Sequence, residues 1–224
     1  MSRCRRILYF HVCALKDWQE RFQSTMDLVI RSGLYDCLDQ VLIGFLGPHQ
    51  WIGGDWFRKY DKAKLRAYSQ DKRWYERLTL HAMQKDSQSA YEKDVYLYLH
   101  TKGVTKTGHV GIQDWIDMML YFLVEQHEST VSRLLEPGID AVGCNFQPDV
   151  PHFSGNFWWA RASHIQRLPP KIQGEYFDPE FWILQRKSWC VVCLYHSHTV
   201  HDLDRHPRSR YESSPSQEYQ IKLG

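Results

Sequence analysis

The sequence predicts an α/β protein, a single domain on an open, mostly parallel, twisted sheet flanked by helices. Short apolar runs rich in β-branched and aromatic residues alternate with stretches of helical periodicity through the first half of the chain. Strand, helix and strand follow one another at βαβ spacing, which implies parallel strands and right-handed crossovers. The 224 residues, 43% hydrophobic and 24% charged, suffice for one full core, and no internal repeat or linker divides them.

Taken in order, ILYFHVCAL (7–15) is the first strand. Asp17 and Glu20 then form a D-x-x-E capping signal, and Trp18, Phe22, Met26, Val29 and Ile30 share one helical stripe that Gly33 stops. QVLIGFLG (40–47) is the second strand. PHQWIGGDWFRKY (48–60) is a Trp- and Gly-rich loop, and KLRAYSQ (64–70) a short third strand. WYERLTLHAMQKD (74–86) has helical spacing and leads into a strand over 94–100. Residues 111–138 form the longest helix, stopped by Pro137-Gly138. DAVGCNF (140–146) and GNFWWARAS (155–163) read as strands. DPEFWILQ (178–185) starts a helix with Asp178 as cap and Pro179 in its first turn. WCVVCLYHSH (189–198) is the last strand. The domain thus spans 1–204, and 205–224 is a polar, loosely held tail.

Composition narrows the function. A net charge of +2 gives no electrostatic case for nucleic acid. The N-terminal apolar run is too short for a membrane span and lacks a small-residue cleavage site, and no other segment approaches spanning length. Six scattered cysteines suit reduced thiols, so a cytoplasmic protein is expected. Cys190 and Cys193 form a C-x-x-C, but strand alternation sends them to opposite faces, which argues against a zinc or redox pair. Nine Trp and thirteen Tyr suit sugar or base stacking as well as core filling.

Ligands in open α/β sheets bind beyond the carboxyl ends of the strands. The strand VYLYLH (95–100) ends there in His100, Thr101, Lys102 and Gly103, and His11 and the 47–58 loop reach the same edge.

The segments YLHTKG (98–103) and HFSGNFWWARA (152–162), with VGCNF and PEFWI, resemble a family of GT-A-fold nucleotide-sugar glycosyltransferases. The likeness is to the domain with which large algal viruses (chloroviruses) build the glycan of their capsid protein. A weaker likeness is to bacterial rhamnan-synthesis glycosyltransferases. It runs over about residues 7 to 200, nearly the whole chain. The resemblance implies a Rossmann-like GT-A domain and a UDP-sugar donor of glucose or rhamnose type. It also implies a glycan or glycoprotein acceptor, including a viral capsid protein, and a divalent metal, Mn²⁺ or Mg²⁺. One departure stands out: where such enzymes carry Asp-x-Asp, this chain has His100-Thr101-Lys102, and its literal Asp202-Leu203-Asp204 comes far later.

Lys102 is the first candidate to neutralise a leaving diphosphate, with Arg161 and Lys106 behind it. His11, His100, Thr101 and Gly103 complete the donor edge. Glu180 is the expected base and Asp149 its rival, although an acid in a first helical turn is favoured by the helix dipole alone. His152, Gly155, Asn156 and one of Trp158 and Trp159 are candidates for sugar contacts, since strand alternation sends the two Trp side chains to opposite faces. His198, then His196, are the metal candidates, as the resemblance implies a late histidine ligand. Cys13 joins His11 as a nucleobase contact. Trp51 or Trp56, on a loop loosened by Gly53-Gly54, would serve as a stacking lid. Two other readings stay open: a carbohydrate-binding protein that has lost catalysis, and a histidine-based zinc hydrolase using residues 196–206.

Overall fold

The computed structural model describes residues 4–104, 108–201, 203–213 and 217–224. Its strands are β1 (Arg6–Cys13), β2 (Gln40–Leu46), β3 (Ala63–Ser69), β4 (Val95–His100), β5 (Ala141–Gly143), β6 (Phe146–Gln147), β7 (His152–Phe153), β8 (Trp158–Arg161), β9 (Trp189–Cys193) and β10 (Tyr219–Leu223). Its helices are α1 (Trp18–Arg31), α2 (Leu34–Cys37), α3 (Asp55–Arg58), α4 (Arg77–Ser87), α5 (Val110–Leu120), α6 (His127–Leu134), α7 (Ala162–Gln166) and α8 (Asp178–Phe181). Eight strands make one sheet in the order β10-β9-β5-β8-β4-β1-β2-β3, while β6 and β7 pair as a separate hairpin. Strands β1 to β4 are mutually parallel, as the βαβ spacing requires. Strand β8 enters antiparallel between β4 and β5, so the sheet is mixed.

Alternation along the central strands builds two cores. Leu8, Phe10 and Val12 of β1 and Leu97 and Leu99 of β4 meet Phe22 and Met26 of α1 and Met118 of α5. Tyr9, Tyr96 and Tyr98 face the other way, onto Leu80 and Met83 of α4 and Ile165 of α7. Cys190 and Cys193 fall into opposite cores, as strand alternation demands.

Several elements differ from the sequence expectation. Asp17 does not cap α1; its carboxylate instead accepts a hydrogen bond from Arg21 Nε at 3.0 Å. Ile30 is exposed, off the buried stripe. The long helix expected over 111–138 breaks into α5, a π-helical turn at Tyr121–Glu125 and α6. Asn145, at φ 52°, separates β5 from β6 where one strand was expected. Strand β9 stops at Cys193, so the His196 to His198 stretch is irregular rather than strand. The loosely held tail is corrected too. Its residues 219–223 add edge strand β10 to β9, while His206 and Tyr211 are buried. Trp51 and Trp56 are not a lid: they pack on Trp18, and the Trp56 indole N–H donates to Trp51 O at 2.7 Å. No helix among the described residues is long and apolar enough to cross a membrane.

Gly44 of β2 lets α4 lie close on the sheet. A Cβ there would fall 1.8 Å from Thr79 Oγ1 and 3.2 Å from the Thr79 Cα. Gly44→Ala should therefore displace α4 and lower stability by about 2 kcal/mol, read from urea unfolding midpoints.

Candidate functional site

The carboxyl ends of β1 and β4 lie side by side, with His11 in register with His100. Beyond them the Thr101 N–H donates to His11 O at 3.0 Å, and the Cys13 N–H donates to Thr101 Oγ1 at 3.0 Å. Thr101 therefore splices the two strand ends; its hydroxyl is buried in the protein rather than offered to a ligand. Gly103, at φ 78°, makes the turn that sends the chain away, a conformation a side chain resists.

His100 points to the α4 side. Its Nε2 lies 3.1 Å from Gly155 O, and since a carbonyl only accepts, Nε2 carries the proton and Nδ1 is left bare. Burial, then the charge of Lys102, push its pKa down to about 3. His11 is buried against Thr79 Oγ1 at 2.8 Å, and burial lowers its pKa to about 4. Both rings are neutral near pH 7.

The acid that organises this edge is Glu76, immediately before α4. Its Oε2 accepts from Tyr98 OH at 2.9 Å and from Asn156 Nδ2 at 2.6 Å, and its Oε1 lies 3.8 Å from His100 Nε2. Asn156, fully buried, also accepts the Trp158 indole N–H at 2.8 Å. Gly155 and Asn156 both hold positive φ, 97° and 56°. That turn aims the Gly155 carbonyl at His100 and its N–H at the Glu180 carboxylate.

Glu180, in α8, reaches the same edge. Burial raises its pKa, opposed first by Lys102; the charge of Glu76 raises it further, and His152 and the Gly155 N–H favour the ionised form. The Lys102 ammonium sits 4.1 Å from the centre of the Trp115 ring. Trp115 in turn stacks on His201, with centroids 4.5 Å apart and planes 3° from parallel. His100, Thr101 and Lys102 also line a cavity of about 300 Å³ between α1 and α5, whose lining carries both signs of charge, Arg21, Arg31 and Arg208 with Asp114, Asp117 and Glu125.

So the structure gathers His11, His100, Lys102, Gly103, Gly155, Asn156, Glu180 and His152 at one edge. Other candidates fall elsewhere. Trp158 and Trp159 are both fully buried, one in each core, so neither presents a face to a sugar. The Asn156 amide is committed to Glu76 and Trp158 rather than to a ligand. Arg161 lies at the opposite end of β8, in register with Val95, and donates to Ile139 O and Glu136 O. Asp149 is exposed on the β6–β7 turn. Lys106 and Asp202 lie outside the described residues.

The rings of His196 and His198 are 4.3 Å apart, but His196 Nδ1 already accepts the His198 backbone N–H at 3.1 Å. His201 does not join them: Asn145, Ser197 and Thr199 engage both its ring nitrogens. Among the described residues no group of three or more His, Cys, Asp or Glu is placed to share a metal ion. Among the described residues, His196 and His198 are thus not joined by a third protein ligand.

Sequence reasoning missed Glu76, because WYERLTL reads as continuous helix. Topology offered a signal: a helix following β3 must begin near that strand's carboxyl end, on the ligand edge.

Fold and site together define a mixed α/β protein with a polar, mixed-charge cleft at the carboxyl edge of its sheet. Residues 55–183 match the family described as Domain of unknown function (DUF8361), and the chain belongs to that family. No curated protein matches it. Among solved structures it is similar to a 4-diphosphocytidyl-2C-methyl-D-erythritol synthase, at 12% identity and TM-score 0.45 over 95% of this chain and 97% of the other. The enzyme of the same name from Anaerococcus prevotii is similar at 12% identity and TM-score 0.45, over 89% and 95%.

The two depressed histidines make stability depend on pH. Between their folded values, about 3 and about 4, and the ordinary value of 6.5, the unfolded chain binds protons that the folded chain refuses. Stability therefore falls as pH drops through that window. His11→Gln should reduce the loss between about pH 7 and about pH 5, measured as the change in urea midpoint, even if it lowers stability at both.

Proposed function

We propose that this chain is a glycosyltransferase moving a hexosyl group from a nucleoside-diphosphate sugar to a glycan or glycoprotein acceptor. One observation carries the reading: Lys102 follows the carboxyl end of β4, and Asn156, which donates to Pro179 O at 3.5 Å, draws the start of α8 with Glu180 to the same edge, where open α/β folds bind ligands. A donor laid along that edge would set its diphosphate against Lys102. The Glu180 carboxylate would take the proton of the acceptor hydroxyl as the new bond to the anomeric carbon forms. The bond from that carbon to the diphosphate oxygen breaks, and its electron pair leaves with the diphosphate beside the ammonium. Neutral His100 donates to Gly155 O and so fixes the Gly155 turn at this edge. Burial raises the Glu180 pKa above its ordinary value, which makes the carboxylate a stronger base. Donors of UDP-glucose or UDP-rhamnose type, and the capsid-protein glycan as acceptor, belong to this proposal through the resemblance of the HTKG and GNFWWARA segments.

The test is release of free UDP from a panel of UDP-sugars, with Mn²⁺ or Mg²⁺ supplied, with and without glycan acceptors. Glu180→Gln and Lys102→Met should each lower turnover by about 100-fold or more. Wild-type turnover should rise with pH through a value above 4.5, the ordinary value for glutamate, and Glu180→Gln should lose that limb. Sugar binding without turnover of any donor would overturn the reading in favour of a non-catalytic binder.

A further inference from the structure

Large aromatic side chains exposed on a surface usually stand singly, but here they gather beside Glu76 and Glu180: Tyr75 directly precedes Glu76, and the Glu180 N–H donates to Phe177 O at 2.9 Å. Tyr75 is 40% exposed, Tyr176 61% and Phe177 57%. Their rings run in a chain. Tyr75 meets Tyr176 at 5.2 Å and 90°, and Tyr176 meets Phe177 at 4.9 Å and 82°. Phe177 then leads to Phe181, and Phe181 to His152 at 5.1 Å. An edge-to-face contact covers at most one face of a ring, and the Tyr176 ring stays 61% exposed.

The rim is built rather than incidental. Its two segments are far apart in sequence and are clasped by Arg77, a buried cation. Arg77 Nε donates to Gln173 O and Nη2 to Glu175 O, both at 2.5 Å, while Nη1 donates to Arg73 O at 3.1 Å. The guanidinium also lies 5.4 Å from the Tyr75 ring. Tyr75 itself holds φ 45° and ψ −137°, a strained conformation for a non-glycine residue. Burial first, then the charges of Glu76 and Glu180, raise the Tyr176 pKa.

We propose that Tyr75, Tyr176 and Phe177 form a stacking subsite for a pyranose ring, whose hydroxyls reach the Glu76 and Glu180 carboxylates. Rings offer a flat apolar face to sugar C–H groups, and carboxylates accept from hydroxyls but repel phosphate. A neutral polyol therefore fits this end of the cleft, and the diphosphate belongs at Lys102. Calling that polyol the acceptor rests on the glycosyltransferase reading; the sugar site itself rests on the rim.

Saturation-transfer NMR with methyl glucosides, methyl rhamnoside, cellobiose and maltose tests it on the full chain. At least one sugar should bind, and Tyr176→Ala should weaken it by about 10-fold or more, the loss of about 1.4 kcal/mol. Tyr176→Phe should keep the affinity, since the ring and not the hydroxyl does the stacking. UDP affinity and the thermal unfolding midpoint should not move in either variant, which separates a lost subsite from a damaged fold. Equal sugar binding by wild type and Tyr176→Ala, or no binding of any sugar to wild type, overturns the subsite. Sugar binding with neither UDP binding nor UDP release would instead end the glycosyltransferase reading and leave the subsite standing.

Discussion

A carboxylate held by two donors at the crest of the sheet fixes nearly everything around it. Glu76 Oε2 takes the Tyr98 hydroxyl from β4 and the Asn156 amide from the turn before β8. Three segments distant in sequence are thereby tied at one oxygen. Asn156 passes the constraint on: its carbonyl holds the Trp158 indole, and its positive φ continues the Gly155 turn. Gly155 then orients His100 with its carbonyl and meets Glu180 with its N–H. Removing the carboxylate would leave buried donors unmet, each costing about 1–3 kcal/mol, and would release the residues that face the cleft.

Charge follows the same geometry. The sheet edge holds two acids and a cation but two neutral imidazoles, because burial is costlier for imidazolium than any nearby carboxylate repays. The Lys102 ammonium lies 4.1 Å from the centre of the Trp115 ring, whose face attracts a cation without adding a second formal charge. Glu180 stands between these influences, pulled up by burial and Glu76 and down by Lys102. The position of Asn145 matters here as well. Its kink ends β5 and carries the hairpin of β6 and β7 outward, which brings His152 back against Phe181 of α8.

Much of the frame was legible because period-two and period-3.6 patterns are local. The strand 95–100 and the end at His100, Thr101 and Lys102 could be read from one short segment, whereas Glu180 was singled out through the glycosyltransferase resemblance. What failed were the elements whose form depends on partners. Pattern alone could not show that both Trp158 and Trp159 would be covered, since β8 has a core on each face. Nor could it show that a polar tail would find an open edge at β9.

By itself the sequence determined the α/β class, the parallel central strands and the edge at which polar residues gather. Hydrophobic period and strand-end chemistry are written within a few consecutive residues. Only the tertiary structure decided which polar groups are spent on the fold and which face the cleft. Asn156, Thr101 and His201 carry the same donors and acceptors as any ligand-binding residue, yet their partners are protein atoms brought from remote segments. Glu76 and the Tyr75–Tyr176 rim arise in the same way, from long-range hydrogen bonds through Tyr98, Asn156 and Arg77 that no local pattern encodes.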